Sequence, residues 1–112
     1  MTLKTTDQGA VKIVHLEGRL DVNLSIEIES EFEKMIDGGV TRMVLDLKQV
    51  EYLSSSGLRI FISAMRKLKE KKGRLVLCNV TPMVKKIFKI VELEDIFEIQ
   101  DSLDKAVSVC GA

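Results

Sequence analysis

Apolar positions recur along this chain in two rhythms, and the switches between them mark out its elements. Val11–Glu17 is strand-like: Val11 and Ile13 alternate with the intervening Lys12, and His15 shares their phase. Thr2–Thr6 is also strand-like, and Asp7-Gln8-Gly9 is a turn, so the chain is expected to open on a hairpin. Gly18-Arg19-Leu20-Asp21 then breaks the alternation. From Leu24 the spacing becomes helical: Leu24, Ile28, Phe32, Met35 and Ile36 form one apolar stripe. Asp21 or Asn23 can cap that helix. Glu27, Glu29, Glu31 and Glu33 lie early in it, where acidic charge suits the dipole, and Asp37-Gly38-Gly39 stops it.

Arg42–Leu47 is nearly continuous in apolar residues and carries a single acid, Asp46, so it reads as a buried strand followed by a short turn. After Gly57, Leu58, Phe61, Ile62, Met65 and Leu68 share a face, which predicts a helix to about Lys72 with Gly73 at its end. Arg74–Val80 is a further apolar strand. Thr81-Pro82 is a helix start, with a cap followed by proline at the first helical position, and Val84, Ile87, Phe88 and Val91 line the inner face. Ile96–Gln100 predicts a short strand, and Ser102 opens a last helix that ends near Val109. The order ββαβαβαβα predicts an α/β domain. Its sheet should be mixed and mainly parallel, with four to five strands, an antiparallel edge and about four helices.

Composition narrows the function classes. The 112 residues suit a single domain spanning 1–112. Lys+Arg and Asp+Glu balance at 17 each, which argues against direct nucleic-acid binding. Met1–Gly9 is polar and lacks a secretory h-region, and no apolar stretch approaches the ~20 residues of a membrane span. A cytoplasmic location is therefore expected. Cys78 falls in an apolar strand and Cys110 in the tail, with no CxxC pair, and His15 is the sole histidine. Neither a disulfide, a metal site nor a cofactor is expected.

The candidate chemistry sits at Ser54, Ser55 and Ser56, immediately before a helix. Unpaired N–H groups and the positive dipole end favour a hydroxyl cap or an anion there. A serine in that place can be a plain cap, a nucleophile or a phosphoacceptor. A capping box is absent, because Leu58 and Arg59 stand where Glu or Gln would answer. The G-x-S-x-G elbow of a hydrolase is absent too, and His15 on a strand is a poor general base. A phosphoserine would carry roughly −1.5 to −2 charges that the fold can tolerate, and it would act by charge and bulk against a partner. Asp21 and Asp46 are expected near the serines, since sites gather at the carboxyl ends of strands in open α/β sheets. Asp21 can equally be a helix cap, and Asp46 can hydrogen-bond the serine loop. The basic residues Arg66, Lys67, Lys69, Lys71, Lys72 and Arg74, like Lys85, Lys86 and Lys89, read as solvated helix faces.

Gly18-Arg19-Leu20-Asp21, Val44-Leu45-Asp46-Leu47 and Tyr52-Leu53-Ser54-Ser55-Ser56-Gly57-Leu58 together resemble the STAS domain. Within that family they look most like bacterial anti-sigma factor antagonists of the sporulation and stress-response type. The resemblance covers nearly the whole chain. It implies a non-enzymatic binding protein that, when unmodified, binds an anti-sigma factor and so releases a sigma factor. It also implies that the anti-sigma factor is a serine kinase, which ends binding by phosphorylating the serine two residues before the motif glycine, here Ser55. Ser54 and Ser56 are the alternative acceptors, and a PP2C-type phosphatase is implied as the enzyme that resets the cycle. Asp21, Asp46, Ser54, Ser56 and Gly57 fall at positions at or behind the partner surface. One position departs from the pattern: the family commonly has aspartate before the phosphorylated serine, and this chain has Ser54. Two other readings stay open. One is a STAS module of another regulatory or transport system with a non-kinase partner; the other is a small serine hydrolase.

Overall fold

Strand parity sorts the core into two layers. Val14, Leu16, Met43, Leu45, Leu47, Leu75 and Leu77 point to one face of a sheet, and Val11, Ile13, Val44, Val76 and Cys78 to the other. The structure is a computed structural model that describes residues 3–93 and 95–112. Its elements are β1 (Lys4–Gln8), β2 (Val11–Leu20), α1 (Val22–Asp37), β3 (Arg42–Leu53), α2 (Ser55–Glu70), β4 (Arg74–Cys78), α3 (Pro82–Ile90), β5 (Glu98–Gln100) and α4 (Leu103–Gly111). The strands lie in chain order, β1-β2-β3-β4-β5, with β1 antiparallel to β2 and every other pair parallel. Helices α1, α2 and α3 are the crossovers, and their buried residues Ile28, Phe32, Ile36, Ile60, Phe61, Val84 and Phe88 cover the first face. Among the described residues, the second face is covered by α4, through Ala106 and Cys110.

The expected α/β architecture is thus present, and the differences are local. Thr2, the first residue expected in β1, lies outside the described residues; β1 itself runs to Gln8 and the turn sits at Gly9-Ala10. Strand β3 does not stop at Leu47 but continues through Lys48–Leu53, where Val50 and Leu53 are buried and the polar residues between them are solvated or half-buried. The turn signal there was only a change from two-sided to one-sided burial. Strand β2 likewise runs through Gly18-Arg19 to Leu20. Helix α2 begins at Ser55, so Ser55, Ser56 and Gly57 form its first turn. Strand β4 is shorter than expected and ends at Cys78, where Asn79 turns the chain at φ 54°.

Two further placements correct the sequence reading. Gly73 is not the residue that ends α2: Lys71 is the C-cap, and a methyl at Gly73 would stand 1.8 Å from the Thr41 carbonyl oxygen. That glycine is required by close backbone approach. Cys110 is not in a loose tail; it lies in α4, fully buried, with its thiol 3.6 Å from the Met43 carbonyl oxygen as donor. Arg42 and Arg74 both donate to carbonyls of this last helix, and Arg74 also forms a two-pronged pair with Glu98, with Nε to Oε1 at 2.7 Å. Burial raises the Cys110 thiol above its ordinary range against the opposing charges of Arg42 and Arg74, and burial beside Asp46 pushes Cys78 up to about 12. Both cysteines are free thiols.

Candidate functional site

Parallel strands deliver the chain to a common edge, and this is where the candidate site forms. Leu20 and Leu53, the last residues of β2 and β3, are register partners, and the Ser54 N–H donates to the Leu20 carbonyl at 3.0 Å. Asp21 and Ser54 therefore leave the sheet side by side, and each caps a helix. The Asp21 carboxylate accepts from the Leu24 N–H at 2.9 Å, and the Ser54 hydroxyl accepts from the Gly57 N–H at 3.1 Å. Such caps contribute about 1 kcal/mol each. The strand ends are shaped by register shifts between His15 and Glu17 and between Gly18 and Arg19, where β3 carries an extra residue each time. Just below the edge, the Arg19 guanidinium lies 4.6 Å above the Tyr52 ring.

Three adjacent serines receive three different environments. Ser54 is buried, 9 % exposed, with its hydroxyl committed to the cap. Ser56 is half-buried, and Ser55 alone is exposed, making no side-chain hydrogen bond among the described residues. Gly57 is buried because the first turn of α2 presses onto the strand end: a methyl there would meet Leu53 Cδ1 at 2.5 Å and Ser25 Oγ at 3.4 Å. Ser25 is itself 1 % exposed, and its hydroxyl has no partner among the described residues. Small side chains at 25 and 57 thus let α1 and α2 start close together. Of the residues expected at the partner surface, Asp21 and Ser56 reach solvent in whole or part, whereas Ser54 and Gly57 shape the turn from within.

Asp46 is not brought to the serines. It stands eight positions before Ser54 on β3, roughly 20–25 Å at strand rise. Nor does it bind the serine loop. Its Oδ2 accepts from His15 Nδ1 at 2.9 Å, and its Oδ1 accepts from Asn79 Nδ2 at 3.1 Å and from the Lys48 N–H at 3.2 Å. His15 Nε2 in turn lies 3.2 Å from the Thr6 hydroxyl, which donates to it when Nδ1 carries the proton. Burial alone would raise the Asp46 carboxyl. The hydrogen bonds from Asn79, His15 and Lys48, together with the His15 charge, outweigh that and hold it below the ordinary carboxylate value. A histidine–aspartate pair therefore exists, but no serine of the 54–56 cluster belongs to it, so the geometry of a hydrolase triad is not assembled.

A feature that the sequence reading missed runs along α2 from Ser55. A groove of about 600 Å³ is floored by Leu58, Ile62 and Leu93 and edged by Arg59 and Arg66. The signal was present in the spacing of Ser55, Arg59 and Arg66 on one helix face, but Leu93 reaches that face only through the fold. Among the described residues, no group of three or more His, Cys, Asp or Glu side chains is placed to hold a metal ion. No helix among them is long and apolar enough to cross a membrane.

Comparison with known proteins agrees with the fold. The STAS domain family model matches residues 2–106. BtrV of Bordetella bronchiseptica, a candidate anti-sigma factor antagonist, is 33% identical over 96 residues, 86% of this chain and 83% of its own. Among solved structures, a candidate anti-sigma factor antagonist from Thermotoga maritima superposes with a TM-score of 0.91 at 17% identity, covering 98% of this chain and 95% of the other. The anti-sigma factor antagonist SpoIIAA in its unphosphorylated form gives 0.82 at 22% identity, covering 99% and 98%. The phosphorylated form of SpoIIAA, from Bacillus, gives 0.74 at 21% identity, covering 96% and 98%. The three structural likenesses establish the fold; the family match and the BtrV relationship establish more, that this chain belongs to the STAS domain family.

Proposed function

We propose that this chain is an anti-sigma factor antagonist switched by phosphorylation of Ser55. Unmodified, it binds an anti-sigma factor that is also a serine kinase and so frees a sigma factor; phosphorylated, it releases that partner. A PP2C-type phosphatase restores the unmodified form. The chain is the substrate of both enzymes and catalyses nothing itself, and the cycle runs in the cytoplasm.

The observation that carries this reading is the exposure of Ser55 between a buried cap and a half-buried neighbour. Its hydroxyl is accessible to a kinase, and a phosphoryl group there meets solvent and the first turn of α2 without disturbing the core. Charge and bulk then act on whatever docks at this edge, with Asp21 and Ser56 as neighbouring contacts. The serine in place of the usual aspartate at position 54 is accommodated, because the Ser54 hydroxyl makes the Gly57 cap that a carboxylate would also make. The relationship to BtrV and the known phosphorylated form of SpoIIAA support the same reading. Asp46, bound by His15 and Asn79, takes a structural part in it.

The test is a quantitative pull-down from native lysate with wild type and Ser55→Asp, with captured proteins identified by mass spectrometry. A kinase-like anti-sigma factor retained by wild type and lost by Ser55→Asp is the expected result. A partner without kinase character would replace this reading with that of a STAS module in another system. A kinase-like partner retained equally by both would remove Ser55 as the switch.

A further inference from the structure

Ser55 and Arg59 are both exposed, four residues apart on α2, and both line the groove over Leu58 and Ile62. Residues at this spacing sit one above the other on a helix, with Cβ atoms roughly 5–6 Å apart. Helical side chains lean toward the N-terminus, so the Arg59 stem is directed back toward Ser55. Among the described residues Arg59 forms no ion pair, in contrast to Lys67, which reaches Glu33 at 3.3 Å. The other cation near this edge, Arg19, is stacked on Tyr52.

We propose that Arg59 holds, in cis, the phosphoryl group carried by Ser55. The inference rests on the reading of Ser55 as phosphoacceptor and adds what happens to the group once it is there. A phosphoryl group offers three acceptor oxygens and up to two negative charges, and a guanidinium can meet it with two parallel N–H donors. The pair lays the phosphoryl group along the helix face, over the Leu58 end of the groove, instead of leaving it to swing into solvent. Phosphorylation thereby covers part of the partner-facing surface as well as charging it. Asp21, on the neighbouring helix cap, opposes the phosphate charge, but it does so whether or not Arg59 is present.

The test uses the full chain with phosphoserine incorporated at position 55 during translation, so that its result is independent of any kinase. The second ionisation of the phosphate is followed by phosphorus NMR. With Arg59 present, the midpoint should fall roughly 0.15–0.4 pH unit below that of the Arg59→Gln variant, the size expected of a helical i,i+4 ion pair. The Arg59 Nε–H resonance should move with the same midpoint. Arg66→Gln, about three helical turns from Ser55, should leave the midpoint where it is. Equal midpoints for wild type and Arg59→Gln, or an equal shift from Arg66→Gln, would overturn the proposal. Failure to find phosphate on Ser55 in cells would instead overturn the functional reading and leave the NMR result standing.

Discussion

Strand β3 carries polar chemistry at two places, Asp46 within the strand and the serines just past its end, and the two are opposites in their bonding. Asp46 accepts from His15, Asn79 and a backbone N–H, so its bonding capacity is used within the domain. Ser55 makes no side-chain hydrogen bond among the described residues and faces solvent. A polar group whose bonds are satisfied at home holds elements together; one left open at a helix start is available to another molecule. Both looked equally functional as residue types in a line of sequence. What separates them is where their partners are.

That contrast can be broken or sharpened by substitution. The largest effect should come from Ser55→Asp, which is expected to weaken the captured partner's binding by at least ~100-fold, about 2.7 kcal/mol, as read by calorimetry. Thermal stability should be unchanged, because the side chain is at the surface. Gly57→Ala should act on the fold instead. Its methyl would meet Leu53 Cδ1 at 2.5 Å, and overpacking of this kind costs roughly 1–3 kcal/mol in denaturant unfolding. Ser54→Ala should lose the cap and about 1 kcal/mol, while Ser54→Asp should keep it, since either oxygen accepts from the Gly57 N–H.

The smallest effect should fade in acid. Asp46 has its folded carboxyl below the ordinary value of 3.8, so the unfolded chain binds the proton more readily. The stability this contributes is present above that value and is lost as pH falls through the folded one. Wild type should therefore exceed Asp46→Asn in melting temperature at pH 6, and the gap should narrow below about pH 4. A gap that stays constant down to pH 2 would show that the carboxylate charge contributes nothing.

The sequence made some of this legible and hid the rest for physical reasons. Element order could be read because it follows from local periodicity, and Thr81-Pro82 marked a helix start that the structure shows, with Thr81 capping Val84. The serine turn was legible as chemistry but not as three separate environments, since burial of Ser54 depends on β2 ending beside it. The His15–Asp46–Asn79 cluster joins β2, β3 and the turn after β4, across separations that no local pattern encodes. Cys110 looked like tail because α4 is short, yet it closes the second face of the sheet. The extension of β3 was concealed by Lys48, Gln49 and Glu51, whose polarity reflects one-sided burial.

The central claim is that, of three consecutive serines, the exposed one is the switch. It is tested most directly by incubating the chain with its captured kinase and ATP and locating the phosphate by tandem mass spectrometry. The account predicts a single phosphate on Ser55, absent in Ser55→Ala and unaffected by Ser56→Ala. Phosphate on Ser54 or Ser56 in the wild-type chain, or none at all, would contradict it.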